Sequence, residues 1–454
     1  MMTKVITYGT FDLFHQGHYN LLKHAKELGD YLIVGITTEQ YDLSRGKLNV
    51  VDSLITRIDN VRASGFVDEI IIEDHAGQKI EDIQRYGVDI FTVGSDWVGA
   101  FDYIEQYCKV VYLPRTKDVS STLKRTDRSP VIQIGIVGTG RVAGRFPSEI
   151  KLVSGANAIG VFNPHDDHAK PFMEKHELAF WSNNYEEFLK KVDAVYIASP
   201  HETHYEYAKQ AILAGKHVLC EKPMVLKKAH AVELFDLAKK NNVVLMEAIK
   251  TAYCPGFNQL INVARSGIIG DICDVEASFS RITTPGMRET EDVKYGGALT
   301  EFGSYCLMAV IKLLGKDYKD VRFESVKLPN GLDAYTKVHF TYDNALATTK
   351  NGVTVKTEGA LIVAGTKGYI LAPSPWWLTQ QFEVRYEDAT KIDNYSAKFL
   401  GKGIRYEIAE FTKAVANMRN SDENVSPNIY MLTRGESIAL ADIMEKFLAQ
   451  RGND

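Results

Sequence analysis

Two histidines three residues apart close the run Gly9-Thr10-Phe11-Asp12-Leu13-Phe14-His15-Gln16-Gly17-His18. The run follows a short apolar strand, Val5 to Thr7, and opens a stretch of helical periodicity from His18 to Leu28. A strand that turns into a helix in this way offers backbone N–H groups and the positive end of the helix dipole to an anion. His15 and His18 can then both face a triphosphate. Attack of a substrate phosphate oxygen on a nucleotide α-phosphorus needs no strong base, because the nucleophile is already ionised. It needs positioning and stabilisation of negative charge, which histidine, lysine and arginine supply, usually with Mg2+. Taken alone, His-x-Gly-His fits simple helix capping equally well.

A second glycine loop, Gly138-Thr139-Gly140-Arg141-Val142-Ala143-Gly144, follows the strand Val131 to Val137. Its missing side chains let the backbone approach a pyrophosphate at a helix start, as in dinucleotide-binding folds. The next strand ends Phe162-Asn163-Pro164-His165, with neither the acid that accepts from an adenosine ribose nor an arginine for a 2′-phosphate, so NAD and NADP both stay open. Further on, Cys220-Glu221-Lys222-Pro223 follows the strand His217 to Leu219. Glu301 and Tyr305 lie four apart and on a helix would share one face.

These residues need scaffolds. Up to about Leu123 short apolar runs (Val5–Thr7, Tyr31–Ile36, Glu69–Ile72, Asp89–Val93, Val110–Leu113) alternate with helical segments, the pattern of a parallel α/β sheet. The polar segment Lys124 to Pro130 marks a boundary, after which a doubly wound region begins, with strands Ala158–Phe162 and Asp193–Ala198 and a helix Tyr205–Ala214. Beyond about Thr251 the strands Asp274–Ser280, Asp320–Lys327, Tyr335–Tyr342, Ala345–Lys350, Gly359–Ala364 and Phe382–Tyr386 have few helices between them and predict a mostly antiparallel sheet. The expected organisation is a Rossmann-like nucleotidyltransferase domain over 1–128, a dinucleotide-binding Rossmann domain over 131–250, and an α+β domain with a mostly antiparallel open sheet over 251–454. At about 150 residues per domain, 454 residues accommodate these three units.

Composition excludes several classes. A formal charge of −5 attracts neither nucleic acid nor an anionic membrane. No signal-like N-terminal segment or bilayer-length apolar run is present, so membrane insertion is not expected. The five scattered cysteines argue against a disulfide framework and a zinc site, and point to the cytoplasm. No protein-held metal is expected.

Two resemblances extend these readings. Gly-Thr-Phe-Asp-x-x-His-x-Gly-His, with Lys47, Arg57, Gly94-Ser95-Asp96-Trp97 and Arg115-Thr116-Lys117-Asp118-Val119-Ser120-Ser121-Thr122 downstream, resembles the cytidylyltransferase family, and within it the glycerol-3-phosphate cytidylyltransferases. The resemblance implies that His15 and His18 stabilise the transferring phosphoryl group and that Lys47 and Arg57 clamp phosphates. Arg115, Thr116, Ser120, Ser121 and Thr122 would grip the triphosphate of CTP, which enters with Mg2+. Gly9, Thr10, Phe11 and Asp12 would shape the nucleotide pocket, with Asp96 and Trp97 beside it. Asp118 and Ser95 depart from the family pattern and leave the acceptor open.

Cys220-Glu221-Lys222-Pro223 resembles the Glu-Lys-Pro motif of the glucose-fructose oxidoreductase and inositol dehydrogenase family (Gfo/Idh/MocA), supported by Ile197-Ala198-Ser199-Pro200-His201-x-x-His204, Met246-Glu247-Ala248 and Gly296-Gly297-Ala298-Leu299. It implies that Lys222 orients substrate and nicotinamide. Where many relatives carry Asp-x-x-x-His this chain has Glu301 and Tyr305, as in the dihydrodiol dehydrogenase branch, so Tyr305 is the expected proton donor, its pKa lowered by Lys222. The implied cofactor contacts are Gly138, Thr139, Gly140, Arg141, Val142, Ala143, Asn163, Ser199, Pro200, His204, Glu221 and Lys222. Loop packing, rather than catalysis, is expected of His201 and His204, and Trp376-Trp377 read as packing.

Together these predict a bifunctional enzyme: NAD(P)-dependent reduction of a small keto- or aldo-sugar phosphate to a polyol phosphate, then cytidylyl transfer from CTP to give a CDP-polyol for surface-polymer synthesis. Homo-oligomers are expected. Two alternatives stand beside it: an active transferase carrying a non-catalytic nicotinamide-bound sensor or scaffold, and an adenylyltransferase in place of a cytidylyltransferase.

Overall fold

The computed structural model describes residues 2–38, 41–42, 50, 52, 54–75, 77–114, 131–397, 399, 401–419 and 432–453. It falls into two compact units, one comprising Met1–Val131 with Leu152–Gly155, the other Ile132–Lys151 with Ala156–Asp454.

In the first unit the strands β1 (Lys4–Gly9), β2 (Tyr31–Thr37), β3 (Glu69–Glu73), β4 (Ile90–Gly94) and β5 (Lys109–Leu113) form a parallel sheet in the order β3-β2-β1-β4-β5. Both faces are covered, which is why the central strands are mostly apolar, with buried Thr7 in β1 and Thr92 in β4. Val5, Leu32 and Val34 pack with Leu22 and Ala25 of the helix Gln16–Glu27 on one face. Ile6, Ile33 and Phe91 pack with Ile83 of the helix Gln78–Tyr86 on the other. Strand order reverses between β1 and β4, so a crevice opens at the ends of these two strands, at Gly9 and Gly94.

The second unit begins with β6 (Ile132–Val137), β7 (Ala156–Phe162), β8 (Phe180–Ser182), β9 (Ala194–Ile197), β10 (His217–Glu221) and β11 (Leu245–Ala248), again all parallel, in the order β11-β10-β9-β6-β7-β8. Its reversal lies between β6 and β9 and places the Gly138 loop opposite Ser199-Pro200. The chain then builds β12 (Ile272–Ser280), β13 (Asp320–Lys327), β14 (Asp333–Thr341), β15 (Leu346–Gly352), β16 (Leu361–Gly365), β17 (Gly368–Ala372), β18 (Gln381–Tyr386) and β19 (Ile392–Ser396). These form a sheet in the order β13-β14-β15-β12-β16-β17-β18-β19, antiparallel except for the β12–β15 pair. One face packs on the helix Ala298–Leu314, which is why β14 alternates buried with half-buried positions. Strands β17 and β19 were not anticipated. β17 carries glycine and alanine at its ends, and β19 alternates exposed with half-buried positions and has no buried face.

Candidate functional sites

The first loop is held by side chains. His15 is the N-cap of the helix Gln16–Glu27, its Nδ1 accepting from the backbone N–H of Gly17 at 3.0 Å and of His18 at 3.3 Å. Capping and chemistry are therefore not alternatives here: a ring whose Nδ1 accepts keeps its proton on Nε2. The His18 ring stacks on His15 with centroids 3.8 Å apart and meets the edge of Phe11 at 5.4 Å. The loop bends sharply, with Phe11 and Leu13 in the left-handed region at φ +54° and +49°.

Arg57, expected as a phosphate clamp, is instead 0% exposed and works as a brace. Its Nη1 donates to the carbonyls of Thr10 at 2.9 Å and Thr37 at 2.7 Å, and its Nε donates to Asp52 O at 3.0 Å. Buried Asp42 completes the knot, accepting from Thr10 Oγ1 at 2.9 Å and Thr37 Oγ1 at 2.7 Å. Asp12 is buried, its Oδ1 accepting from Asp52 N at 2.9 Å, while Asp52 accepts from Leu13 N at 2.9 Å. A buried, always-charged guanidinium is tolerated only where acceptors surround it, and the bend supplies them. Thr37, Asp42 and Asp52 were not anticipated. Across the crevice the 3-10 turn Ser95–Trp97 follows Gly94 and carries Asp96; Trp97 is 57% exposed. Lys47, Arg115, Thr116, Ser120, Ser121 and Thr122 lie outside the described residues.

The second loop is held by backbone. Gly138 takes φ +101°, and a Cβ there would lie 2.7 Å from the carbonyl oxygen of Ala198, while one on Gly140 would meet nothing within 4 Å. The loop leads into a 3-10 turn, Ala143–Arg145, and the five-residue helix Phe146–Ile150, so open amides contribute more than a long helix dipole. Asn163 stands where an acid would select NAD and donates to Thr139 Oγ1 at 2.8 Å. The loop opens onto a cleft of about 590 Å³ lined also by Ser199, Pro200, His204, Glu221 and Lys222. A cradle that a side chain would fill, beside a cleft of that size, fits a dinucleotide. Ala143 is fully buried beneath the loop, and Arg141 pairs with Glu289 at 2.9 Å.

Lys222 lines this cleft, its Nζ donating to the carbonyl of Glu301 at 3.0 Å and lying 5.9 Å from the centroid of the Tyr305 ring. The helix Ala298–Leu314 thus brings Glu301 and Tyr305 to Lys222. The Tyr305 pKa moves opposite to expectation: burial pushes the phenol up, and Glu221 and Glu407 add to it. It therefore stays protonated, as a donor must. Tyr305 stacks on Phe279 at 5.1 Å, and Phe279 meets Trp377 at 3.9 Å, so that tryptophan backs the site, whereas Trp376 is fully buried. The Lys222 turn is clamped from behind. His204, fully buried, places its ring nitrogens 3.0 Å from Pro223 O and 2.9 Å from Ser199 O, and burial lowers its pKa to about 4. Glu247 accepts from Met224 N at 3.1 Å, and burial raises it to about 7. His201 is buried too, its pKa lowered by burial and then by the charge of Lys222. Met287, Arg288 and Glu289, which also line the cleft, were not anticipated.

Among the described residues no group of three His, Cys, Asp or Glu side chains converges to hold a metal ion, and no helix is long and apolar enough to cross a membrane.

Comparison with known proteins agrees with this division. Residues 6–130 match the family model described as cytidylyltransferase-like, residues 132–249 that of the oxidoreductase family with an NAD-binding Rossmann fold, and residues 257–371 the GFO/IDH/MocA C-terminal domain. Over 126 residues the chain is 48% identical to glycerol-3-phosphate cytidylyltransferase of Bacillus spizizenii, covering 28% of this chain and 97% of the relative. Over 333 residues it is 28% identical to scyllo-inositol 2-dehydrogenase (NADP(+)) IolU of Bacillus subtilis, covering 71% of this chain and 98% of the relative. Among solved structures, the 3-ketoreductase KijD10 from Actinomadura kijaniata, in complex with TDP-benzene and NADP, aligns with a TM-score of 0.58 at 23% identity over 69% of this chain and 96% of that one. Levoglucosan dehydrogenase, in complex with NADH and levoglucosan, aligns with a TM-score of 0.60 at 17% identity over 70% and 98%. At these identities the likeness to the solved structures is one of fold. The chain is thus an enzyme of two families, a cytidylyltransferase-like domain followed by an oxidoreductase of the GFO/IDH/MocA family.

Proposed function

We propose that the second unit reduces a small keto- or aldo-sugar phosphate to a polyol phosphate and that the first joins that product to CMP from CTP, giving a CDP-polyol and pyrophosphate. The observation that carries the reading is that Lys222 lines the cleft at the Gly138 cradle with the Tyr305 ring centroid 5.9 Å from its Nζ, in the same chain as the stacked, capped His15–His18 pair.

Bound NAD(P)H supplies the hydride. Lys222, fixed by its bond to Glu301 O, faces the carbonyl oxygen and stabilises the charge that grows on it, and Tyr305 gives that oxygen its proton. In the first unit a phosphate oxygen of the polyol phosphate attacks the α-phosphorus of CTP, and the bond to the β-phosphate breaks. His15, with its proton held on Nε2 by the cap, and His18 steady the charge of that transfer, and Arg57 holds the loop in shape rather than touching phosphate. Mg2+ enters with CTP. The acceptor in the name of the Bacillus relative, glycerol 3-phosphate, is the alcohol formed by reducing dihydroxyacetone phosphate, which makes that ketone the first substrate to try. The reading includes a cytoplasmic enzyme, a product destined for surface polymers, and homo-oligomers formed through the open face of the β12–β19 sheet, which light scattering would detect.

The test measures pyrophosphate release from CTP, with ATP in parallel, while NADPH or NADH and a panel of keto-triose, keto-tetrose and keto-pentose phosphates are supplied. Release that requires reductant, carbonyl and CTP together is expected. Release with ATP in place of CTP, or a Lys222→Ala chain that reduces every carbonyl as well as wild type does, would replace this reading.

A further inference from the structure

Three arginines stand at or beside the cleft of the second unit, and the hydride step uses none of them. Arg141 follows Gly140 in the loop after β6, Arg281 follows the last residue of β12, and Arg288 opens the short helix Arg288–Glu291. Arg141 and Arg281 converge on one atom. The Oε1 of Glu289 accepts from Arg141 Nη2 at 2.9 Å and from Arg281 Nη2 at 3.2 Å, which draws the two guanidiniums into one group. The Glu289 side chain is 5% exposed, whereas those of Arg141 and Arg281 are 49% and 45% exposed, so the carboxylate lies underneath and the two forks reach solvent. Arg288 is committed elsewhere, to Glu202 at 2.8 Å and Asp292 at 3.2 Å.

One carboxylate cannot neutralise two guanidiniums. A single oxygen engages one nitrogen of each fork, and among the described residues neither guanidinium has another hydrogen-bond partner. The pair therefore keeps positive charge and open donors, in the planar geometry that suits the oxygens of a phosphate. Its place in the cleft says whose phosphate. Arg141 and Glu289 line the cleft together with Lys222 and Glu301. Arg281 lies 6.0 Å from the Phe302 ring centroid, and Phe302 stacks at 4.9 Å on Phe279, the ring on which Tyr305 also stacks. Phe302 adjoins Glu301, whose carbonyl fixes Lys222. The pair thus belongs to the proton-donor side, while the cofactor pyrophosphate has the Gly138 amides. In dihydroxyacetone phosphate only a methylene and an oxygen separate the carbonyl carbon from phosphorus, so a carbonyl at Lys222 keeps its phosphate within the same cleft.

We propose that Arg141 and Arg281, held together by Glu289, bind the phosphate of the carbonyl substrate and so select phosphorylated over free sugars. The proposal rests on the reductase reading above and names the residues that recognise its substrate class. The two arginines touch the phosphate, and Glu289 is a positioning residue that acts through them. Because the phosphate is remote from the reacting carbonyl, its grip is the same before and during hydride transfer, and its loss shows in KM rather than in kcat.

The experiment uses the full chain, the first keto-sugar phosphate of the panel that wild type reduces, and the same sugar without its phosphate, starting with dihydroxyacetone phosphate and dihydroxyacetone. We expect wild type to favour the phosphorylated sugar by about 100-fold in kcat/KM, and Arg281→Gln to raise the KM of that sugar by about 10–100-fold while kcat stays within about twofold. The KM for NAD(P)H and the kcat/KM for the free sugar should be unchanged, which shows that the second unit is folded, and Arg281→Lys should recover part of the loss. An Arg281→Gln chain whose KM for the phosphorylated sugar equals that of wild type, or rises equally for both sugars, overturns the phosphate site and leaves the reductase standing. A rise in the NAD(P)H KM alone assigns the pair to the cofactor and overturns it as well, as does a wild type that reduces the free sugar as readily as the phosphorylated one. A wild-type chain that reduces no carbonyl overturns the reductase reading itself and the phosphate site with it.

Discussion

Both anion loops leave a central parallel strand at a point where strand order reverses, yet they are built by opposite means. The loop after β1 is shaped by side chains: Arg57, Asp42 and Asp52 pin a bend in which Phe11 and Leu13 take left-handed backbone. The loop after β6 is shaped by what is missing, a Cβ that would strike Ala198. The difference reflects the ligand each must meet. A loop that presents two imidazoles needs its backbone held in place around them. A loop that only cradles a pyrophosphate can offer bare amides.

The braces differ as well. The first bend is tied by the Arg57 knot, whereas the Lys222 turn hangs on His204 and Glu247, which burial moves to pKa values of about 4 and about 7. The architecture of the second site should therefore respond to pH through Glu247.

Breaking the first brace should produce the largest effect. Arg57→Ala strands three carbonyls and the Asp42 carboxylate in a dry interior, and should cost the first unit about 3–5 kcal/mol. Calorimetry should show its transition falling or vanishing while that of the second unit holds.

Next comes a substitution that separates cap from chemistry. His15→Asn keeps a side chain able to cap the helix, so stability should stay within about 0.5 kcal/mol, while cytidylyl transfer drops by about 10²–10³-fold. Equal loss of helix stability and rate would mean that His15 is only a cap.

Gly138→Ala should weaken NADPH and NADH binding by about 100-fold, because the new methyl meets a carbonyl in a left-handed position. Nicotinamide fluorescence titration reads this directly, and unchanged affinity would refute the backbone cradle.

The smallest effect concerns pH. The folded pKa of Glu247 lies above its unfolded value, so its contribution is full below about pH 4.5 and is lost as pH rises through about 7. Glu247→Gln should keep the bond from Met224 N and remove that loss, stabilising the second unit relative to wild type by about 2 kcal/mol at pH 8 and by little at pH 5. An equal shift at both pH values would show that the carboxyl does not titrate there.

Much of this architecture was legible in the residues. The alternation of apolar runs gave the parallel sheets because strands buried on both faces must be mostly apolar, and the two glycine loops fell where those strands end. What stayed hidden depends on contacts distant in sequence. Asp42 and Asp52 bond to Thr10 and Asp12 across 32 and 40 residues, with no local pattern to announce them. The phosphate-clamp role of Arg57 comes from the resemblance, and its burial could not be seen in the sequence; the same blindness reversed the Tyr305 pKa, which is set by burial and then by Glu221 and Glu407, from different elements, rather than by Lys222. Strand β19 lacked an apolar face to reveal it.

The central claim is that the two units serve one product. The most direct measurement tracks CTP-dependent pyrophosphate release by the full chain supplied with dihydroxyacetone phosphate or another keto-sugar phosphate, with and without NAD(P)H. Release that appears only with the reductant, and disappears in Lys222→Ala unless the polyol phosphate itself is added, is the predicted result. If no carbonyl in the panel yields reductant-dependent release, the two active sites do not share a substrate and the central claim is wrong.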